Sequence, residues 1–149
     1  MSPRLEGYQN PTSRQLFGAD VETWVRDQLR DQGYNVELET DWQAPYDLDM
    51  AGMPVEVKAA KRRQRQVRPG YYSDEYRWNV GNLEDGDYLL ALVAEDDKGQ
   101  RYLFLALSWA AYGRQGISIT SHPDKYSGRL AGYLGNYTII DELKERRNV

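Results

Sequence analysis

Cysteine is absent from this 149-residue chain, so neither a disulfide nor a thiolate metal site can form, and a reducing compartment is the expected setting. The longest apolar runs, Tyr88–Ala94 and Tyr102–Ala111, are too short or too interrupted to span a bilayer. The opening residues, Met1-Ser2-Pro3-Arg4-Leu5-Glu6, lack the apolar core of a secretory signal. A soluble cytoplasmic protein with no membrane partner is therefore expected. The motifs of several enzyme classes are also absent: there is no glycine-rich phosphate loop with Lys-Ser/Thr, no HExxH and no GxSxG. Histidine occurs once. His122 stands in a loop before a proline, as a base or simply as a solvated side chain.

The length suits a single domain, 1–149, with a core that needs no covalent staples. A net charge of −4 speaks against a polyanionic partner if taken alone. The distribution of charge speaks for one. Lys58, Lys61, Arg62, Arg63, Arg65 and Arg68 fall within eleven residues that contain no acid. Arg77 follows, among Tyr71, Tyr72, Tyr76 and Trp78. Arginines in such a segment suit phosphates, and rings suit unpaired bases. A second cluster, Ser121-His122-Pro123-Asp124-Lys125-Tyr126, offers Lys125 as a further phosphate contact.

Hydrophobic periodicity predicts an irregular arm over 1–18 and a helix over Ala19–Gln32. Phe17, Val21, Trp24, Val25 and Leu29 share one face of that helix, and Gly33 stands at its C-cap. Alternation over Tyr34–Glu39 predicts a strand, and a hairpin over 46–50 and 53–59 follows. Residues 61–67 are compatible with either helix or strand, and Pro69-Gly70 ends them. The run Tyr88–Ala94 reads as a central buried strand and Arg101–Leu107 as its neighbour. Further elements are expected at Tyr76–Val80, Trp109–Tyr112, Ile117–Thr120 and Asp141–Arg147. This order makes a mixed α/β sheet with flanking helices, its core over 19–107 and a C-terminal elaboration over 108–149.

The hairpin carries the chemistry. Reversal at Ala51-Gly52 pairs Met50 with Met53, which sets Asp49 opposite Pro54, Leu48 opposite Val55 and Asp47 opposite Glu56. Opposed residues share a face, with Cβ atoms roughly 4.5–5.5 Å apart. Lys58 points to that face too. Two facing carboxylates repel each other unless positive charge lies between them, and a divalent cation fits that need. Asp49 is the rival first acid but sits further from Glu56. Lys58 either serves the reaction or salt-bridges one of the acids. Glu22, at the margin of the helix's apolar stripe, either reaches the metal or pairs with Arg26.

These residues resemble the PD-(D/E)xK nuclease superfamily, with its restriction-endonuclease-like αβββαβ core. Asp47 matches the first acid and Glu56-Val57-Lys58 the (D/E)xK triplet, with Pro45 one residue further from Asp47 than the family name implies. Glu22 matches the acid that many members carry on their first helix. The resemblance implies Mg²⁺, with Mn²⁺ substituting, held by Asp47, Glu56 and the Val57 carbonyl. It also implies hydrolysis of DNA that leaves a 5′-phosphate. Size and opening architecture are similar to small Holliday-junction resolvases, which implies branched DNA and a homodimer, although those proteins tend to be basic. A restriction, repair or recombination nuclease on linear DNA is the alternative within the class. An inactive DNA-binding protein of the same fold is the alternative outside it.

Overall fold

The computed structural model describes residues 12–40, 46–83 and 86–147. In chain order these form α1 (Ser13–Asp31), β1 (Val36–Leu38), β2 (Leu48–Met50), β3 (Met53–Lys61), β4 (Arg63–Arg68), β5 (Tyr71–Asn79), β6 (Leu89–Glu95), β7 (Arg101–Leu107), β8 (Gly116–Ile119) and α2 (Ile139–Arg147). Residues 1–11, Pro45 and Asp85 lie outside the described residues.

The helix α1 starts earlier than its apolar pattern. Residues 13–18, expected in an irregular arm, form its first turns, because Thr12 and Gln15 close a capping box. The Gln15 N–H donates to Thr12 Oγ1 (3.2 Å) and the Thr12 N–H to Gln15 Oε1 (2.8 Å), satisfying two of the helix's orphan donors. At the other end Gly33 (φ 93°) reverses the chain. The Gly33 N–H donates to Arg30 O and the Tyr34 N–H to Leu29 O, the Schellman pattern that a glycine there favours.

The main sheet has the order β1-β2-β3-β6-β7, antiparallel except for the parallel pair β3–β6. Its inner strand β6, between β3 and β7, is buried on both faces. Leu89, Ala91 and Val93 join Val55 and Val57 against the helices, through Val21, Val25 and Leu29 of α1 and Ile139, Ile140 and Leu143 of α2. Leu90, Leu92 and Ala94 face the other way, against Tyr76, Trp78, Ile117 and Ile119 of a second sheet, β4-β5-β8. The molecule thus has three layers: helices, mixed sheet, small sheet. The crossover from β3 to β6 is made of strands, and the doubtful stretch 61–67 is extended. Its polar side chains would tolerate a helix, but Arg68-Pro69-Gly70-Tyr71 turns back with Gly70 at φ 78° and pairs β4 with β5.

The β2–β3 register follows the expected one, with Met50↔Met53, Asp49↔Pro54 and Leu48↔Val55. Its turn has positive φ at both central residues, Ala51 (52°) and Gly52 (91°), as a type I′ turn demands. Alanine is strained in that region. Ala51→Gly is therefore expected to stabilise the fold by about 0.5–1 kcal/mol in denaturant unfolding. An unchanged or lower midpoint would show that the turn stores no strain.

Candidate metal and nucleic-acid site

Strand alternation decides which side chains meet. Leu48, Val55 and Val57 point into the helix-side core, so Asp47, Glu56 and Lys58 project from the opposite face of the sheet. Regular pairing stops at Leu48↔Val55, and Asp47 is not set in a ladder pair with Glu56 as expected. Instead it straddles Glu56. Its backbone N–H donates to Val55 O (3.1 Å), and its Oδ2 accepts the Val57 N–H (2.8 Å). The carboxylate of Asp47 thus replaces a missing strand partner at the edge of β3. In a strand the N–H and C=O of one residue face the same edge, so the Val57 carbonyl lies on the Asp47 side as well.

Asp47 and Glu56 are each only 8 % exposed. Lys58 Nζ lies 3.9 Å from Glu56 Oε1, so the salt bridge weighed for Lys58 is present. Asp49, the rival acid, is exposed and accepts the Gly52 N–H (2.9 Å), a turn-forming role. Glu22 is half-buried on α1. The Nε of Arg26, its alternative partner, bonds Asp27 (3.1 Å). Among the described residues no three His, Asp or Glu side chains group closely enough to hold a metal, so Glu22 does not complete a three-acid cluster with Asp47 and Glu56. The donors here are two carboxylates and a carbonyl, hard oxygens of the kind that Mg²⁺ or Mn²⁺ takes.

Lys58 opens on a cleft of about 510 Å³, lined also by Arg14, Arg77, Asn79, Asn82 and Gln115. Arg77 was expected among the DNA contacts. Arg14 was not, since it lies in the stretch read as an arm, and only the capping box placing it on α1 could have drawn attention to it. Arg77 passes directly over Gly116: a Cβ added there would come within 2.6 Å of the guanidinium Cζ. Gly116→Ala should therefore displace Arg77; if Arg77 meets a DNA phosphate, affinity for DNA falls several-fold and the salt-dependence slope drops by about one. Equal affinity and slope in a folded variant would remove Arg77 from the interface.

The rest of the basic segment is more engaged than its sequence suggests. Arg62 Nε bonds Asp74 Oδ1 at 2.7 Å, a hydrogen bond that raises the guanidinium pKa above its ordinary value. Arg63 and Arg65 share Glu75, at 3.0 and 4.0 Å. Lys61 lies over the Phe17 ring and Arg68 over Tyr71. Tyr76 and Trp78 belong to the core and cannot stack on bases, whereas Tyr71 and Tyr72 are exposed. Lys125 is exposed on a short 3-10 turn, Pro123–Lys125, and does not line the cleft.

No family model matches the sequence, and no curated protein matches it. Among solved structures the chain is similar to a bacterial homing endonuclease, I-Ssp6803I, with a TM-score of 0.61 and 18 % sequence identity. The match covers 91 % of this chain and 98 % of that one. The fold is thus a restriction-endonuclease-like mixed sheet with flanking helices, and the likeness is one of fold. No helix among the described residues is long and apolar enough to cross a membrane.

Proposed function

We propose that this chain is a metal-dependent DNA endonuclease. One arrangement carries the reading: Asp47 and Glu56 are both buried, Asp47 bonds the Val57 N–H next to Glu56 in β3, Lys58 lies 3.9 Å from Glu56, and Lys58 opens on a cleft bearing Arg14 and Arg77. Carboxylates in a buried setting favour nearby cationic charge, which a divalent cation would supply. Asp47, Glu56 and the Val57 carbonyl would hold Mg²⁺, with Mn²⁺ substituting. When bound, the cation supplies Lewis-acid stabilisation of charge building on the phosphoryl oxygens.

The protein's own groups do the positioning. Val57 N–H fixes the Asp47 carboxylate, and β3 fixes Glu56 and Lys58 two residues apart on one face. Lys58 orients the attacking water and offsets charge on the phosphoryl group. Arg14 and Arg77 hold flanking phosphates in line. The water oxygen bonds to phosphorus, the bond from phosphorus to the 3′ oxygen breaks, and that oxygen leaves with a proton. The products are a 5′-phosphate and a 3′-hydroxyl. Glu22 has no part assigned in this scheme.

Size and opening architecture favoured branched DNA as substrate. A homing endonuclease of matching extent shares them, so they no longer select a junction, and linear duplex becomes the first reading. Cutting both strands calls for two sites, hence a homodimer. The test is cleavage of labelled linear duplex and four-way junctions by the purified chain, with Mg²⁺ and with EDTA. Metal-dependent duplex cleavage is expected. Preferential junction cleavage would restore the resolvase reading. No cleavage of either DNA would leave an inactive DNA-binding protein.

A further inference from the structure

We infer that the β4–β5 hairpin is a sequence-reading ribbon that enters the major groove of duplex DNA, with Arg65 and Ser73 facing base edges. This rests on the endonuclease reading for its substrate and deepens it. All six residues of β4 are exposed, as are Tyr71 and Tyr72 at the start of β5, so among the described residues nothing covers the hairpin's far end. Folded domains rarely leave both faces of a two-stranded ribbon to water without a use for them. The occupant is identified by charge. Residues 62–77 carry five arginines against two acids, Asp74 and Glu75, in a chain whose net charge is −4. A two-stranded ribbon also matches the roughly 12 Å width of the major groove.

Alternation along β5 says which face meets the duplex. Tyr76 and Trp78 are buried against the main sheet, while Arg77 and Asn79 point to the cleft. Counting back by twos from Arg77, Glu75 and Ser73 share its face. The register places Arg63 opposite Glu75 and Arg65 opposite Ser73. One continuous strip therefore runs from the cleft through Arg77, Glu75 with Arg63, and Ser73 with Arg65. Glu75 lies tucked beneath both arginines: its side chain is 13 % exposed and theirs 65 % and 56 %. Arg63 meets Glu75 through Nε at 3.0 Å, and Nε is also the nearest nitrogen of Arg65, at 4.0 Å, so the Nη ends of each fork are left for an outside acceptor. An arginine held this way suits the paired acceptors of guanine, and a serine hydroxyl can donate or accept. Ser73 is four residues from Arg77, about 13 Å along the strand, or about four base pairs. Discrimination is therefore expected about four base pairs from the phosphate held at Arg77.

The experiment is selection of duplexes from a randomised pool by the full chain in EDTA, with the selected pool sequenced, repeated with Arg65→Ala/Ser73→Ala. The wild type should enrich a motif. The variant should lose about 10- to 100-fold of discrimination at one or two adjacent positions. Its affinity for unselected duplex should fall by a smaller factor, and equally for all sequences. Binding without any enriched motif, or a motif unchanged in the variant, overturns the ribbon assignment. Metal-dependent cleavage would still stand beside either of those outcomes. Selective binding with no cleavage in Mg²⁺ or Mn²⁺ would overturn the nuclease reading and keep the ribbon. Absence of DNA binding overturns both.

Discussion

Glu56→Gln and Asp47→Asn are each expected to lower the rate of DNA cleavage at least about 10³-fold while leaving the fold and DNA affinity in place. Either change keeps the side chain's shape and removes the negative charge that would hold a divalent cation. For Asp47→Asn the amide oxygen can still accept the Val57 N–H, which bonds Asp47 Oδ2 at 2.8 Å, so the local backbone has no reason to shift. Removing a carboxylate beside the substrate's phosphates also relieves repulsion, so binding should hold or tighten. That combination, lost turnover with retained or improved affinity, separates a chemical role from a structural one. A fall in affinity that parallels the fall in rate would mean that the acids support the DNA-binding surface. Cleavage within tenfold of wild type in either variant would remove that acid from the chemistry.

Trp78→Ala is expected to destabilise the protein by about 3–5 kcal/mol, a large share of the stability of an ordinary domain. Trp78 is 1 % exposed and stands between the two sheets. Its Nε1 donates to Val93 O at 2.9 Å, and its ring meets Phe104 edge-on with centroids 6.0 Å apart. Truncation leaves a cavity and also removes a buried hydrogen bond. A fall in melting temperature on the order of 10 °C follows for a chain this long. Function should suffer too, below the melting transition, because the same strand carries Arg77 and Asn79 to the cleft on its other face. A stability loss below about 1 kcal/mol would mean that the small sheet is not anchored through this residue.

What could be read in advance was whatever short-range chemistry determines. Ala51-Gly52 between two alternating segments determined the hairpin and its register, and strand alternation beyond it put Glu56 and Lys58 on one face. Gly33 marked the end of α1 for a similarly local reason. The start of α1 was hidden because its first turn has no apolar stripe, and its signal is two polar residues, Thr12 and Gln15, bonding each other. Residues 61–67 were ambiguous because their strand state depends on the turn at Pro69-Gly70 and on pairing with β5. The same pairing matches Arg63 and Arg65 with Glu75, so a stripe that looks free of acids is laced with them once folded. Arg14 joins Lys58 only through the packing of α1 across the sheet, which no spacing along the chain encodes. Asp47's reach over Glu56 to the Val57 N–H likewise needed the strand to leave its ladder at Leu48.

Manganese binding addresses the site without waiting for the right DNA. In an electron paramagnetic resonance titration, Mn²⁺ should bind the wild-type chain saturably and Mg²⁺ should displace it. That binding should disappear in Asp47→Asn and in Glu56→Gln. Saturable binding that survives both substitutions, or none in the wild type with duplex DNA present, would contradict a cation held between those two carboxylates.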